Sequence, residues 1–283
     1  MVRIGAHVHE SDPLAGAIAR DADVVQFFLG DPQGWKEPVL PHLAALDGAG
    51  RSGERDTGNT VDPAAFRDAF AAAGVDIYIH APYRINVATT NNRIRIPSRK
   101  LLSQYAEASA AIGANALIVH GGHVLAADDP EDGFANWRKV FERTRFPLPV
   151  LIENTAGGEK AMARTLDAIT RLWDSIGAAA AGTAGFCLDT CHAHASGEDL
   201  EGIVDRVIAI TGRIDLVHCN NSKDDFGSSR DRHENLERGM IDPKLIADVV
   251  RAAQAPAVCE TPDTDGGQAA DIRWLREQLA TTP

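Results

Sequence analysis

Eight short apolar runs recur along the 283-residue chain, and their spacing limits the fold more than any other feature. They are RIGAHV (3–8), VVQFFL (24–29), VDIYIH (75–80), ALIVH (116–120), PVLIE (149–153), GFCLD (185–189), DLVHC (215–219) and AVCE (257–260). Such runs, rich in Val, Ile and Phe, suit strands covered on both faces. Between most of them lie helix-like stretches with readable ends. Asp62-Pro63 and Asp242-Pro243 each pair an N-cap with proline at the first helical position, and Ser98 is placed to cap RKLLSQYAEASAAI, which closes at Gly113. Strand then helix, repeated eight times, is the arithmetic of a (β/α)8 TIM barrel; a doubly wound open sheet is the alternative. No linker or composition break divides the chain, which predicts a single domain over 1–283. The Gly-rich, polar segment AALDGAGRSGERDTGNT (44–60) reads as a long loop after the second strand, on the catalytic face of such a barrel.

The ends of these runs carry the chemistry. The third ends in His80, the fourth in His120, the fifth in Glu153, the sixth in Asp189, the seventh in His218 and the eighth in Glu260. One such residue at a strand end is ordinarily a cap or a solvated group. Six consecutive ones would converge at the C-terminal face of a barrel, where burying them together is prohibitive without cations. DTCH adds His192, three residues after Asp189, and GSSRDRHENL adds Asp231 and His233, whose side chains face the same way if that segment is extended. Five His and four carboxylates overfill one zinc ion, which takes about four ligands, and suit a cluster of three with one carboxylate bridging. Strand alternation turns Cys219 and Cys259 outward and sets Cys187 a layer deeper, leaving Cys191 as the one thiol within reach. His7, His9, His42, His123 and His194 are read as non-ligands, with His7 and His123 nearest the site.

Bulk properties set the remaining bounds. The composition, 44% hydrophobic and 24% charged, is that of a globular protein. No stretch reaches the roughly 18 apolar residues of a membrane span, and the N-terminus lacks the apolar core of a signal peptide, so a cytoplasmic protein is expected, without a membrane partner. Four cysteines are too few for a disulfide framework in so long a chain, and reduced thiols are expected. A formal charge of −12 argues against nucleic acid at first sight. Three Zn2+ would take −12 to −6 and concentrate the change at the barrel mouth.

In IGAHV, HAPYRINVA, IVHGG, IENTAGG, CLDTCHAHASG, LVHCNNSKDDFGSSRDRH and CETP, which follow in order over nearly the whole chain, the sequence resembles the endonuclease IV (deoxyribonuclease IV) family of apurinic/apyrimidinic endonucleases. The resemblance implies a (β/α)8 barrel with three zincs that hydrolyses duplex DNA on the 5′ side of an abasic site, leaving a 3′-hydroxyl and a 5′-deoxyribose phosphate. It implies that His80, His120 and Glu153 hold a first zinc. Glu153 would bridge to a second, completed by Asp189, His218 and Glu260, and His192, Asp231 and His233 would hold a third. Zinc acidifies a bound water to a pKa near about 7, so no protein nucleophile is needed. Glu153, or Glu260 beside it, is the candidate to orient the attacking oxygen.

For DNA contacts the candidates are Tyr83, Arg84, Gln33, Arg230 and Arg232, with Arg93, Arg95, Arg99 and Lys100 also in loops expected on that face. Two of these depart from the family pattern. The loop GDPQGW carries Gln33 where an arginine is expected, and Arg84 follows the retained Tyr83 where an apolar residue is expected. The 44–60 segment is longer than the pattern implies. A monomer is expected. The rival readings are a metal-dependent sugar isomerase or epimerase of the xylose-isomerase-like barrels, whose sites are carboxylate-rich, and a zinc- or DNA-binding module without catalysis.

Overall fold

The computed structural model describes residues 2–46 and 61–281. Most of the 44–60 segment therefore lies outside the described residues; Ala44–Leu46 form a short 3-10 turn. Eight parallel strands close into a barrel: β1 (Ile4–His7), β2 (Val24–Phe28), β3 (Asp76–His80), β4 (Ala116–His120), β5 (Val150–Glu153), β6 (Ala184–Asp189), β7 (Leu216–His218) and β10 (Ala257–Cys259). Closure is made by β1, which pairs with β2 (Ala6 opposite Val25) and with β10 (Ala6 opposite Cys259). The open-sheet alternative is thereby excluded. A two-stranded antiparallel piece, β8 (Asn221–Ser222) with β9 (His233–Glu234), sits in the loop after β7.

The strand period of two sorts the core into separate layers. Val24, Tyr78, Ala116, Ile118, Leu151, Cys187, Leu216 and Val258 form a cluster inside the barrel. Their neighbours, among them Val25, Ile77, Leu117, Ile152, Phe186, Val217 and Cys259, belong to the larger cluster shared with the helices. Residues two further along than the interior set emerge at the mouth: Gln26 after Val24, His80 after Tyr78, His120 after Ile118, Glu153 after Leu151, Asp189 after Cys187, His218 after Leu216, Glu260 after Val258. Gly5 takes the β1 position in the interior layer, opposite Val24 and Val258, where a Cβ would stand 1.6 Å from Val24 O; two residues on, His7 reaches the mouth opposite Gln26.

The outer helices are α1 (Pro13–Ala19), α2 (Pro63–Ala73), α3 (Asn92–Ala111), α4 (Pro130–Arg143), α5 (Leu166–Ile176), α6 (Thr190–Ser196), α7 (Ile203–Thr211), α8 (Pro243–Ala253) and α9 (Gly267–Ala280). Asp12, Asp62, Asp129 and Asp242 each cap a helix that begins with proline, their carboxylates accepting from Ala15, Ala64, Glu131 and Lys244 N–H. The expected start at Ser98 is wrong. Helix α3 begins at Asn92, capped by Asn91, and runs through Pro97. Pro97, the sixth residue of the helix, has no N–H to donate to Arg93 O, so one intrahelical bond is missing there. Ser98 is buried and accepts from Asn86 N–H at 3.0 Å, tying the helix to the loop after β3.

Among the described residues no helix is long and apolar enough to cross a membrane. The largest fully buried side chain is Trp137, on α4, whose Nε1–H donates to Gly121 O at 2.7 Å, just past His120. Trp137→Ala should lower the unfolding free energy by about 3–5 kcal/mol in urea denaturation. A loss under about 1 kcal/mol would show that this packing is not a determinant of stability.

Candidate metal centre

All nine of the expected side chains meet at the mouth of the barrel. Ligand atoms within 4.8 Å of one another form four groups that could hold a metal ion: His80, His120 and Glu153; Glu153, Asp189, His218 and Glu260; His192, Asp231 and His233; and Asp189, Cys191 and His233. Three of them have the memberships that the family resemblance implies. Glu153 belongs to two, and its two oxygens face different rings. Oε2 lies 3.2 Å from His80 Nε2 and 3.3 Å from His120 Nε2; Oε1 lies 3.1 Å from His218 Nδ1 and 3.2 Å from His192 Nδ1.

Local structure explains each placement. Asp189 ends β6 and caps α6: its Oδ1 accepts from His192 N–H at 2.6 Å, which fixes His192 one turn into the helix. The DRH segment is held by the β8–β9 pairing, and Asp231 Oδ1 stands 3.1 Å from His192 Nε2 and 3.0 Å from His233 Nε2. Glu260 follows β10 by one residue, its N–H donating to Asn220 Oδ1 at 2.7 Å. Cys191 is buried, and burial pushes its thiol up to about 12. Cys219 and Cys259 join the outer core and Cys187 the barrel interior, as alternation requires.

Ring orientation follows from what the second nitrogen does. His80 Nδ1 faces Ala81 O at 2.7 Å, His192 Nδ1 faces Asn154 O at 2.9 Å and His233 Nδ1 faces Glu260 O at 3.2 Å. Each carbonyl can only accept, so in the neutral ring the hydrogen sits on Nδ1 and the lone pair on Nε2, which is turned toward the carboxylates. The Nε2 atoms of His192 and His233 are buried and make no well-formed hydrogen bond, although Asp231 Oδ1 lies 3.1 and 3.0 Å from them. Unpartnered lone pairs converging beside carboxylates are an arrangement that a cation completes.

The charges are balanced accordingly. Burial pushes Glu153 upward, but His218 and His120 overturn this and hold its carboxyl well below the usual range. Glu260 is held low against its own burial, chiefly by His218 and then by His7. For Asp189 burial prevails over His192 and His233, and its carboxyl is pushed up. Burial disfavours charge on His192, but Asp189 and Asp231 raise it well above its ordinary value. In the same way Cys187, Glu260 and Glu153 raise His218, and Asp231 and Asp189 raise His233 to about 9. Protons on imidazoles here do what a divalent cation would do: they neutralise carboxylates in a low dielectric.

Several participants carried weaker sequence signals. Gln26, His7, Asn154 and Asn220 are all buried and bonded to the set: Asn220 Nδ2 reaches Asp189 Oδ2 at 2.6 Å, and Asn154 exchanges hydrogen bonds with the Asp189 backbone. His7 stands 3.3 Å from Glu260, and burial pushes its ring down to about 4. A lone glutamine inside VVQFFL, at an inward position, was the available clue to Gln26. His123 lies outside the set, exposed, with its carbonyl accepting from Asn86 Nδ2.

The candidate DNA contacts divide. Tyr83 is 46% exposed, and its ring centre lies 5.3, 5.5 and 5.6 Å from those of Phe28, His80 and His120. Its backbone N–H donates to Pro32 O at 2.9 Å, which joins the loop of Tyr83 and Arg84 to that of Gln33. Gln33 and Arg84 are exposed, as are Arg93 and Lys100. Arg230 and Arg232 are exposed but both pair with Asp224. Arg95 and Arg99 turn inward to backbone carbonyls, of Thr89 and Asn136 respectively. A cavity of about 650 Å³ opens beside the set, lined by His9, Glu10, Tyr83, Asp231, His233 and Glu260 among others.

Comparison with known proteins agrees with this geometry. Residues 18–278 match the family model described as a xylose isomerase-like TIM barrel. Proteins named probable endonuclease 4 from Mycobacterium tuberculosis and Mycobacterium marinum are 53% and 52% identical to this chain, covering 98% of it and 99% and 98% of their own lengths. The crystal structure of endonuclease IV from Thermus thermophilus superposes with a TM-score of 0.76 at 26% identity, over 98% of each chain. A D-tagatose 3-epimerase-like protein superposes with a TM-score of 0.74 at 13% identity, covering 98% of this chain and 97% of its own, a likeness of fold alone. Within the xylose isomerase-like TIM barrels, the chain belongs to the endonuclease IV family.

Proposed function

We propose that this protein is a DNA repair endonuclease that hydrolyses the phosphodiester 5′ to apurinic/apyrimidinic sites in duplex DNA, leaving a 3′-hydroxyl and a 5′-deoxyribose phosphate. The names of its relatives support a nuclease. The observation that carries the reading is Glu153, whose two oxygens each face a different pair of imidazoles at 3.1–3.3 Å. A carboxylate so divided is suited to bridge two ions. His80, His120 and Glu153 would hold one zinc; Glu153, Asp189, His218 and Glu260 a second; His192, Asp231 and His233 a third. Zinc bound there would supply Lewis acidity, making water acidic enough to attack near neutral pH and stabilising charge on the phosphoryl and leaving oxygens.

The side chains have distinct tasks. Glu153, with Glu260 across His218 from it, is the group proposed to orient the attacking water. Asp231, half exposed while Glu153 and Asp189 are buried, stands at the edge of the set nearest solvent, where a phosphate would arrive. Tyr83, Arg84 and Gln33 are proposed to meet the DNA at the lesion, with the Tyr83 ring offering an apolar face. Arg230 and Arg232 are proposed to meet phosphates, in competition with their pairing to Asp224. All nine ligands come from one chain, which supports a monomer as the working unit. Four buried free thiols suit a reducing, cytoplasmic setting. A sugar epimerase shares the barrel, but five imidazoles favour zinc over the harder ions of carboxylate-rich sites.

Four outcomes are expected. Purified protein nicks a duplex oligonucleotide on the 5′ side of a synthetic abasic site and loses that activity on prolonged chelation; interconversion of ketoses with the DNA left intact would install the epimerase reading instead. Metal-free protein takes up about three zinc ions per chain, from the nine ligands at about four per ion with one shared. Because the rings of His192, His218 and His233 hold protons above their ordinary pKa, uptake releases protons and weakens as pH falls, which titration calorimetry in buffers of different ionisation enthalpy would detect. Glu153→Gln abolishes cleavage and lowers zinc content while far-UV circular dichroism is unchanged; full activity in that variant would remove Glu153 from the mechanism.

A further inference from the structure

Gln26 faces inward from β2, fully buried, and uses all of its polar atoms at the metal centre. Its Nε2 lies 2.6 Å from Glu260 Oε1 and 2.7 Å from His7 Nδ1, and its Oε1 lies 2.8 Å from His218 Nε2. A carboxylate accepts and cannot donate, so the end of the amide that meets Glu260 is the NH2 group. The orientation of the amide is thereby set by chemistry. Its oxygen consequently faces His218, and since that oxygen only accepts, His218 Nε2 carries a hydrogen. The lone pair of the neutral ring is then on Nδ1, the atom 3.1 Å from Glu153 Oε1 and 3.4 Å from Glu260 Oε2.

One amide thus acts on two candidate ligands. It selects the tautomer in which His218 can bind a metal through Nδ1. It also ties down Glu260 Oε1, leaving Oε2, the oxygen nearer His218, for the centre. The second N–H goes to His7 Nδ1, which accepts, so His7 acts as a stop behind the amide. Asn220 completes the bracket around Glu260, its Oδ1 accepting from the Glu260 N–H.

We propose that Gln26 is a positioning residue of the metal centre, holding His218 in its Nε2–H tautomer and Glu260 in one rotamer so that both address the ion shared with Glu153 and Asp189. The proposal rests on the metal-centre reading above, and its test separates the two. Gln26→Met keeps the volume and removes all three hydrogen bonds. With a chelating indicator dye, the zinc-loaded variant should hold one ion about 10- to 100-fold more weakly than the wild type, the effect typical of losing a hydrogen-bond partner of a metal ligand. The other ions and the far-UV circular dichroism should be unchanged. Retention of every ion with wild-type affinity overturns the role of Gln26 while leaving the centre standing. A wild-type protein that binds no zinc overturns the centre and this proposal with it. Should Gln26→Met fail to fold, 15N-histidine NMR of the zinc-loaded wild type decides: His218 with hydrogen on Nε2 and metal on Nδ1 supports the proposal, and the reverse overturns it.

Discussion

Burying Glu153 and Asp189 in the mouth of a barrel is the constraint around which the rest of this structure is arranged. Ionised carboxylates out of water are tolerated only where opposite charge meets them at close range. Each ring in the set has one nitrogen near a carboxylate oxygen, and for four of them the other nitrogen is occupied by a backbone carbonyl or by Gln26. The fold answers the electrostatic demand by geometry. Parallel strands closed into a barrel bring their final residues to a common rim, and helix α6 and the loop after β7 supply what the rim lacks.

That architecture also accounts for how much could be read from the sequence. A period of two fixes which face of a strand a residue occupies, so His80, His120, Glu153, Asp189, His218 and Glu260 could be assigned to one layer once the strands were found. The same period placed Cys187, Cys219 and Cys259. It applies equally to Gln26, whose significance is harder to see because an amide is no metal ligand and its work is to orient others. Asn154 and Asn220 are similar cases: their partners are decided by tertiary approach, which local pattern does not encode.

Where sequence reasoning failed, the cause is local competition. Pro97-Ser98 reads as a helix start, since proline ordinarily interrupts a helix and serine caps one. Here Asn91 captures the cap six residues earlier than Pro97, and Ser98 gives its oxygen to the Asn86 backbone in the loop beyond β3. The arginines illustrate the same limit. Arg95 and Arg99 looked equivalent to Arg93 and Lys100 by position, but helical phase turns the first two toward carbonyls and leaves the others in solvent. Charge at a given chain position says little about field at the surface until that phase is known.

The hydrogen bond from Tyr83 N–H to Pro32 O gives the two sequence departures a joint meaning. Gln33 follows Pro32 and Arg84 follows Tyr83, so the residues lie one step beyond either end of a single backbone bond. On one side an expected cation is replaced by a neutral amide; on the other an expected apolar residue is replaced by a cation. Counted loop by loop these are two losses of pattern. Counted across the bond, and against that expectation, one guanidinium is missing and one is added within a single tethered pair of loops, so the pair carries the charge the pattern calls for.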